Sequence, residues 1–167
     1  MEVTTMGYTH YWRSPAGTNL KDNWESFTKD VKTLLAHEKS SRLDPVKGNL
    51  VGPLGEPKSK PQVNKNFVAF NGVIFGFINE GHETFKFDRV PKYPEWRKDE
   101  PLTFTFCKTA LKPYDLYVCA VLLIAKFHFK DKVIISTDGD LENWQPAYVL
   151  LQKLGINNIH PLEAVKW

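Results

Sequence analysis

Residues 64–87, NKNFVAFNGVIFGFINEGHETFKF, decide the fold class. Runs rich in Phe, Val and Ile are interrupted by Asn71-Gly72 and by Gly81-His82. Asn-Gly between β-rich runs is the strongest short-range hairpin signal, because both turn positions need positive φ. The expectation is a three-strand antiparallel meander in which Asn71 is a turn residue first and a ligand contact second. Alternation on the third strand sets Glu83 with Phe85 and Phe87 on one face, away from Lys86. A carboxylate on an apolar face has to be paired, hydrogen-bonded or protonated, since burying it alone is costly.

Downstream, LTFTF (102–106) reads as a fourth strand with Leu102, Phe104 and Phe106 in phase. Lys108 ends it in the same phase, as a buried partner for Glu83 or simply where the strand reaches water. Pro113 and Asp115 suit the first turn of a helix, and LYVCAVLLIAKF (116–127) is apolar nearly all round, as a buried helix is. KVIIST (132–137) has the uninterrupted character of a central strand covered on both faces. Asp138-Gly139-Asp140 ends it. A last helix starts near residue 140 or at Pro146, carries Trp144, Tyr148 and Leu151, and stops at Gly155.

Upstream, residues 2–12 form a strand with Tyr8, His10 and Trp12 on one face. Asp22 and Glu25 have capping-box spacing ahead of a stripe of Trp24, Phe27, Val31, Leu34 and Leu35 that runs to about residue 37. In residues 45–61, 7 of 17 are Gly or Pro, so this stretch is a long loop, either an excursion or a cover over a site. Residues 89–101, with three prolines, form another loop. The sum is one α+β domain over residues 1–167: a mostly antiparallel sheet of about five strands packed on about three helices.

Of the 167 residues, 42% are hydrophobic and 25% charged, with a net charge of +3, the balance of a globular chain rather than a disordered one. No apolar run reaches the ~18–20 residues of a membrane span, and the N-terminus has no basic start or apolar stretch, so a cytoplasmic location is expected. Basic residues are interleaved with acids, as in KFDRVPKYPEWRKDE (86–100). That describes a mixed, solvated surface better than a nucleic-acid stripe. Cys107 and Cys119 make neither a disulfide framework nor a zinc site by themselves, and His37, His128 and His160 have no ligand spacing. Gly48, Gly52 and Gly55 match no Walker or dinucleotide pattern, so no cofactor can be read from the chain.

His10, between two large aromatics, is a general acid or base, a ligand contact, or a satisfied core histidine. His82 is an exposed turn residue or a ligand contact. Cys107, beside Lys108 and ahead of a helix, has the electropositive setting that lowers a thiol pKa, unless it is an inert packing residue like Cys119. Asp138 and Asp140 lie where α/β sheets place ligand groups, although an Asp-Gly turn plus a helix cap explains them equally. Lys108, Thr109 and the amides around Pro113 and Tyr114 are suited to a phosphate at a helix N-terminus.

These residues imply an enzyme-like pocket for a small polar, phosphorylated or nucleotide-like molecule, with hydrolase or transferase chemistry. Glu83 is the acid or base, His10 the proton shuttle, Lys108 the anion stabiliser, and Asp138 and Asp140 position water or ribose. Tyr8, Trp12 and Tyr114 stack on the ligand, with Asn71, His82, Thr109, Asp115 and Ser136 as further contacts. Two alternatives use the same residues: a sponge-like module that sequesters a nucleotide or signalling metabolite without turnover, and a protein-interaction domain whose ion pairs are structural.

Through GYTHYW (7–12), FNG (70–72), HETF (82–85), FCKT..KPYD (106–115) and STDGD (136–140), the chain resembles a family of small proteins from bacteria, fungi and phages. The resemblance spans nearly the whole chain, and FCKT..KPYD is its most specific part. It implies no particular activity, but it does imply that these polar segments belong to one motif set and share a site. An Arg follows the FCKTA segment in that family. Here position 111 is Leu, so no anion-binding role carries over to it.

Overall fold

The computed structural model describes residues 7–40, 50–97 and 99–167. The elements are β1 (Thr9–Arg13), α1 (Trp24–Ser40), β2 (Leu50–Val51), β3 (Gln62–Val63), β4 (Phe67–Gly72), β5 (Ile74–Phe75), β6 (Ile78–Asn79) and β7 (Phe85–Asp88), followed by β8 (Thr105–Lys108), α2 (Asp115–Phe129), β9 (Ile134–Thr137), α3 (Leu141–Leu154), α4 (Pro161–Ala164) and β10 (Val165–Lys166). The class is α+β. One sheet has the order β10-β9-β1-β8, a second has β2-β4-β3 with β7 also on β4, and β5-β6 is a separate hairpin. Only β10–β9 is parallel among these pairs. The first five residues of the expected 2–12 strand, and residues 45–49 of the Gly/Pro-rich loop, lie outside the described residues.

The apolar circumference of α2 accounts for its place: Val118 through Ala125 are all buried, and α1 and α3 both pack on it. The stripe of α1 delivers Trp24 and Phe27 to Phe87 and Phe129, with ring centroids 5.1–6.2 Å apart. Trp12 joins them through Phe87 at 6.2 Å and extends the cluster to Phe85 at 5.3 Å. This contiguous cluster is the core. Among the described residues, no helix is long and apolar enough to cross a membrane.

Three expectations are corrected. Asn71-Gly72 is not a turn: β4 runs straight through it, pairing Leu50 with Gly72 and Val51 with Asn71. Gly72 is required by close approach instead, since a Cβ there would collide with the Glu80 backbone and one on Gly81 with the Gly72 carbonyl. The tight turn lies at Gly76, φ +56°, between β5 and β6.

Residues 102–106 are not a strand of inward-facing Leu and Phe. Leu102 makes only an isolated bridge to Pro15, and β8 turns Cys107 inward. Phe104 and Phe106 stay on the outer face, where Arg13 and Arg97 lie over the Phe104 ring at 5.0 and 5.2 Å.

β9 is interior to its sheet but is not covered on both faces, since Ile134 and Ser136 are half-exposed. The start of α3 is settled at Leu141, with Pro146 inside the helix, because Asp140 and Asn143 form a reciprocal capping box.

Candidate functional site

β8 and β9 flank β1, and their carboxyl ends point the same way as the start of β1. α2 follows β8 and α3 follows β9, so two helix N-termini gather at this end of the sheet. In α/β proteins ligand groups collect in such a place.

His10 is completely buried here. Its Nε2 lies 2.6 Å from Asp115 Oδ1 and its Nδ1 2.8 Å from Thr137 Oγ1. A carboxylate oxygen accepts, so Nε2–H donates to Asp115, and Nδ1 is left to accept from the Thr137 hydroxyl. The hydroxyl is oriented for this, because the Gly139 amide at 3.0 Å and the Trp144 indole N–H at 3.4 Å donate to its oxygen. Asp115 also accepts from the Thr109 hydroxyl at 2.6 Å and lies 3.7 Å from the Cys119 thiol. Tyr8 and Trp144 meet the imidazole edge-on, with centroids at 5.0 and 4.9 Å. Thr137 is half-buried, whereas His10, Asp115, Thr109 and Cys119 are buried.

The loop from β8 to α2 holds Ala110 and Leu111 at φ +51° and +55°, a region that residues with a Cβ rarely occupy. The Thr109 and Ala110 amides both donate to the Tyr8 carbonyl at 3.2 Å, which ties the strained loop to β1.

A second cluster adjoins the first through the backbone of β8. The Lys108 amide donates to Glu83 Oε2 at 2.7 Å and the Glu83 amide to the Lys108 carbonyl at 3.3 Å. His82 Nδ1–H donates to that same carbonyl at 2.8 Å, and the Tyr114 hydroxyl to the Glu83 carbonyl at 2.6 Å. Asn71 braces the turn: its Oδ1 accepts the Gly72 and His82 amides at 2.8 and 3.2 Å, and its Nδ2 donates to the His82 carbonyl at 2.9 Å.

The five motif segments therefore meet at one end of the sheet, but not as one pocket. Strand alternation puts His10, Thr137 and Cys107 on the inner face, and Tyr11, Lys108, Ser136 and Asp138 on the outer face. Asp138 is exposed and accepts from the Tyr11 hydroxyl at 3.1 and 3.2 Å. Lys108 Nζ lies near Gly7.

Several expected roles change accordingly. Glu83 precedes β7 and is half-buried. It meets the Lys108 amide rather than its ammonium, and among the described residues the two side chains form no ion pair. Trp12 is core, and Asp140 is the cap of α3. Burial pushes the Cys107 thiol up to about 12, which removes it as a thiolate nucleophile at neutral pH.

Sequence reasoning missed Thr137 and Tyr11. The signal for Thr137 was present, since alternation sets it in phase with buried Ile135.

His10, Asp115 and Cys119 offer donor atoms within 4.8 Å of one another, with Asp115 and Cys119 one helical turn apart on α2. Two metal bonds of about 2.0–2.1 Å at a tetrahedral angle hold their donors about 3.3 Å apart. The 2.6 Å between Nε2 and Oδ1 is instead a direct, charge-assisted hydrogen bond. Comparison of the chain with protein-family models, curated proteins and solved structures gives no match.

Proposed function

We propose that the chain is an enzyme, a hydrolase or transferase, acting by general acid/base chemistry on a small polar molecule, in the first instance a phosphorylated or nucleotide-like one. The observation that carries this reading is the alignment Asp115–His10–Thr137. A buried carboxylate that fixes an imidazole leaves its other nitrogen free to take a proton from a hydroxyl. Thr137 presents that hydroxyl, His10 holds its proton, and Asp115 stabilises the imidazolium that results. Lys108, expected as the anion stabiliser, lies at the same end of the sheet but on its outer face, so it has no part in this step.

The test is a panel of nucleotides and sugar phosphates, followed by thermal shift and by recovery of the compound after incubation. Thr137→Val keeps shape and removes the hydroxyl. It should retain the thermal shift and lower turnover by roughly 10²–10⁴-fold, the usual worth of a positioned acid/base group. Thr137→Ser should restore most of the activity. Turnover in Thr137→Val equal to that of the unaltered chain would sink the reading. The complete enclosure of the His10 ring favours a second reading, a non-catalytic module that sequesters its ligand. A compound that shifts the melting temperature and is recovered unchanged would decide for that.

A further inference from the structure

A trough that shares no residue with the His10 network lies along the second half of α1. It encloses about 1170 Å³, just above the roughly 300–1,000 Å³ of most small-molecule pockets. Leu35, Leu50, Val51, Val63 and Val73 furnish its apolar lining, and Phe75 and Ile78 of the β5–β6 hairpin line it too. Phe75 is 65% exposed and Ile78 41%, so the hairpin presents an apolar lip to solvent.

Lys32, Lys58 and Lys60 also line the trough and are all exposed. Among the described residues none of the three is ion-paired. One of the two acids that line the trough, Glu38, is turned inward: it is 4% exposed and its Oε1 accepts the Leu50 amide at 3.2 Å. Glu80 is the other acid.

The turn bearing Lys58 and Lys60 is held in place. The Gly52 amide donates to Ser59 Oγ at 2.9 Å, and the Ser59 hydroxyl donates to the Glu56 carbonyl. Lys58 sits at φ +66°, which a side-chain-bearing residue rarely adopts and which the surrounding bonds must impose. A neutral hydrocarbon would leave these ammonium groups unused, and a small inorganic ion would leave the apolar lining unused.

We infer that the trough binds an amphipathic anion of the long-chain acyl carboxylate class, with its tail along Leu35, Val51, Val63 and Val73 and its carboxylate at Lys58 and Lys60. The loop over 45–61 then acts, in its described part, as one wall of a site rather than as an idle excursion.

The test is calorimetric titration of the intact chain with sodium dodecanoate and with dodecyltrimethylammonium, both below micelle formation. Dodecanoate should bind saturably at one per chain, and the cation at least roughly tenfold more weakly. Lys58→Glu combined with Lys60→Glu should abolish that preference, Leu35→Trp should weaken both amphiphiles by narrowing the trough, and Thr137→Val should change neither. Equal uptake of both amphiphiles, or no uptake, overturns the inference. So does uptake only after residues 41–49 are replaced by Gly and Ser, which would assign the trough to that segment. Concentration-dependent dimerisation blocked by Leu35→Trp, with no uptake, would assign it to a second copy and overturn the inference as well.

Discussion

Tyr8 sits beside the His10 network without joining it. It is 7% exposed, and its hydroxyl has no hydrogen-bond partner among the described residues. Burial, reinforced by the neighbouring Asp115 carboxylate, holds the phenol well above its ordinary range, so it remains a neutral, unsatisfied group. Tyr8→Phe should therefore stabilise the fold by about 1 kcal/mol, the cost of an unpaired buried polar atom being removed. Gly139→Ala should do the opposite. Its Cβ would lie 2.7 Å from the Tyr8 hydroxyl oxygen and 2.8 Å from Cε2, an overlap worth roughly 1–3 kcal/mol. The ring carbon stays when the hydroxyl goes, so Gly139→Ala should remain destabilising in the Tyr8→Phe background. Urea melts of the two single variants and the double variant test this. A Tyr8→Phe protein clearly less stable than its parent would mean that the hydroxyl has a partner after all.

The elements differ in how far their residues announce them. Asp140 exemplifies a local signal: its carboxylate accepts the Asn143 amide at 3.1 Å and its own amide donates to Asn143 Oδ1 at 2.9 Å, all within one turn of α3. Asp140→Ala should cost about 1 kcal/mol in denaturant melts, and Asp140→Asn much less. If Asp140→Ala abolished ligand shifts with no loss of stability, Asp140 would be a ligand group rather than a cap. Helical period, the Asp140 and Gly155 caps of α3 and the inward phase of Tyr8, His10 and Trp12 were legible for the same reason, since each depends on residues a few positions apart. The Asp22–Glu25 spacing misled, because Asp22 lies inside a short 3-10 turn ahead of α1 and, among the described residues, caps nothing. The phase of β8 was not, because Phe104 and Phe106 find their partners in Tyr11, Arg13 and Arg97 on the outer face. Nor was the role of Asn71-Gly72, where glycine answers a contact with Glu80 rather than a dihedral angle. The site itself depends on pairs 105 and 127 residues apart, His10 with Asp115 and with Thr137, and no local pattern encodes those.

At the scale of the whole molecule, the buried acids that stay neutral set the response to pH. Cys107 and Cys119 are both completely buried. Burial raises Cys107 from 9.0 to about 12 and Cys119 well above 9.0. Burial raises the phenols of Tyr8 and Tyr114 in the same direction. Each group releases its proton more readily from the unfolded chain, so its contribution is intact below the unfolded pKa and is lost as pH climbs toward the folded one. Lys126, half-buried, runs the other way: burial lowers its pKa, so raising the pH removes a charge the fold disfavours, but it is one group against four. Stability should hold level from neutrality to about pH 8.5. It should then fall by roughly 1 kcal/mol per pH unit for each ionising cysteine between about 9 and 12. Urea midpoints at pH 7, 9, 10 and 11 measure the slope. Cys107→Ala should start lower at pH 7, because it leaves a small cavity, yet decline less steeply above pH 9. An unchanged slope in that variant, or a loss setting in below pH 8, would show that the alkaline limit of this fold lies in groups other than its buried thiols.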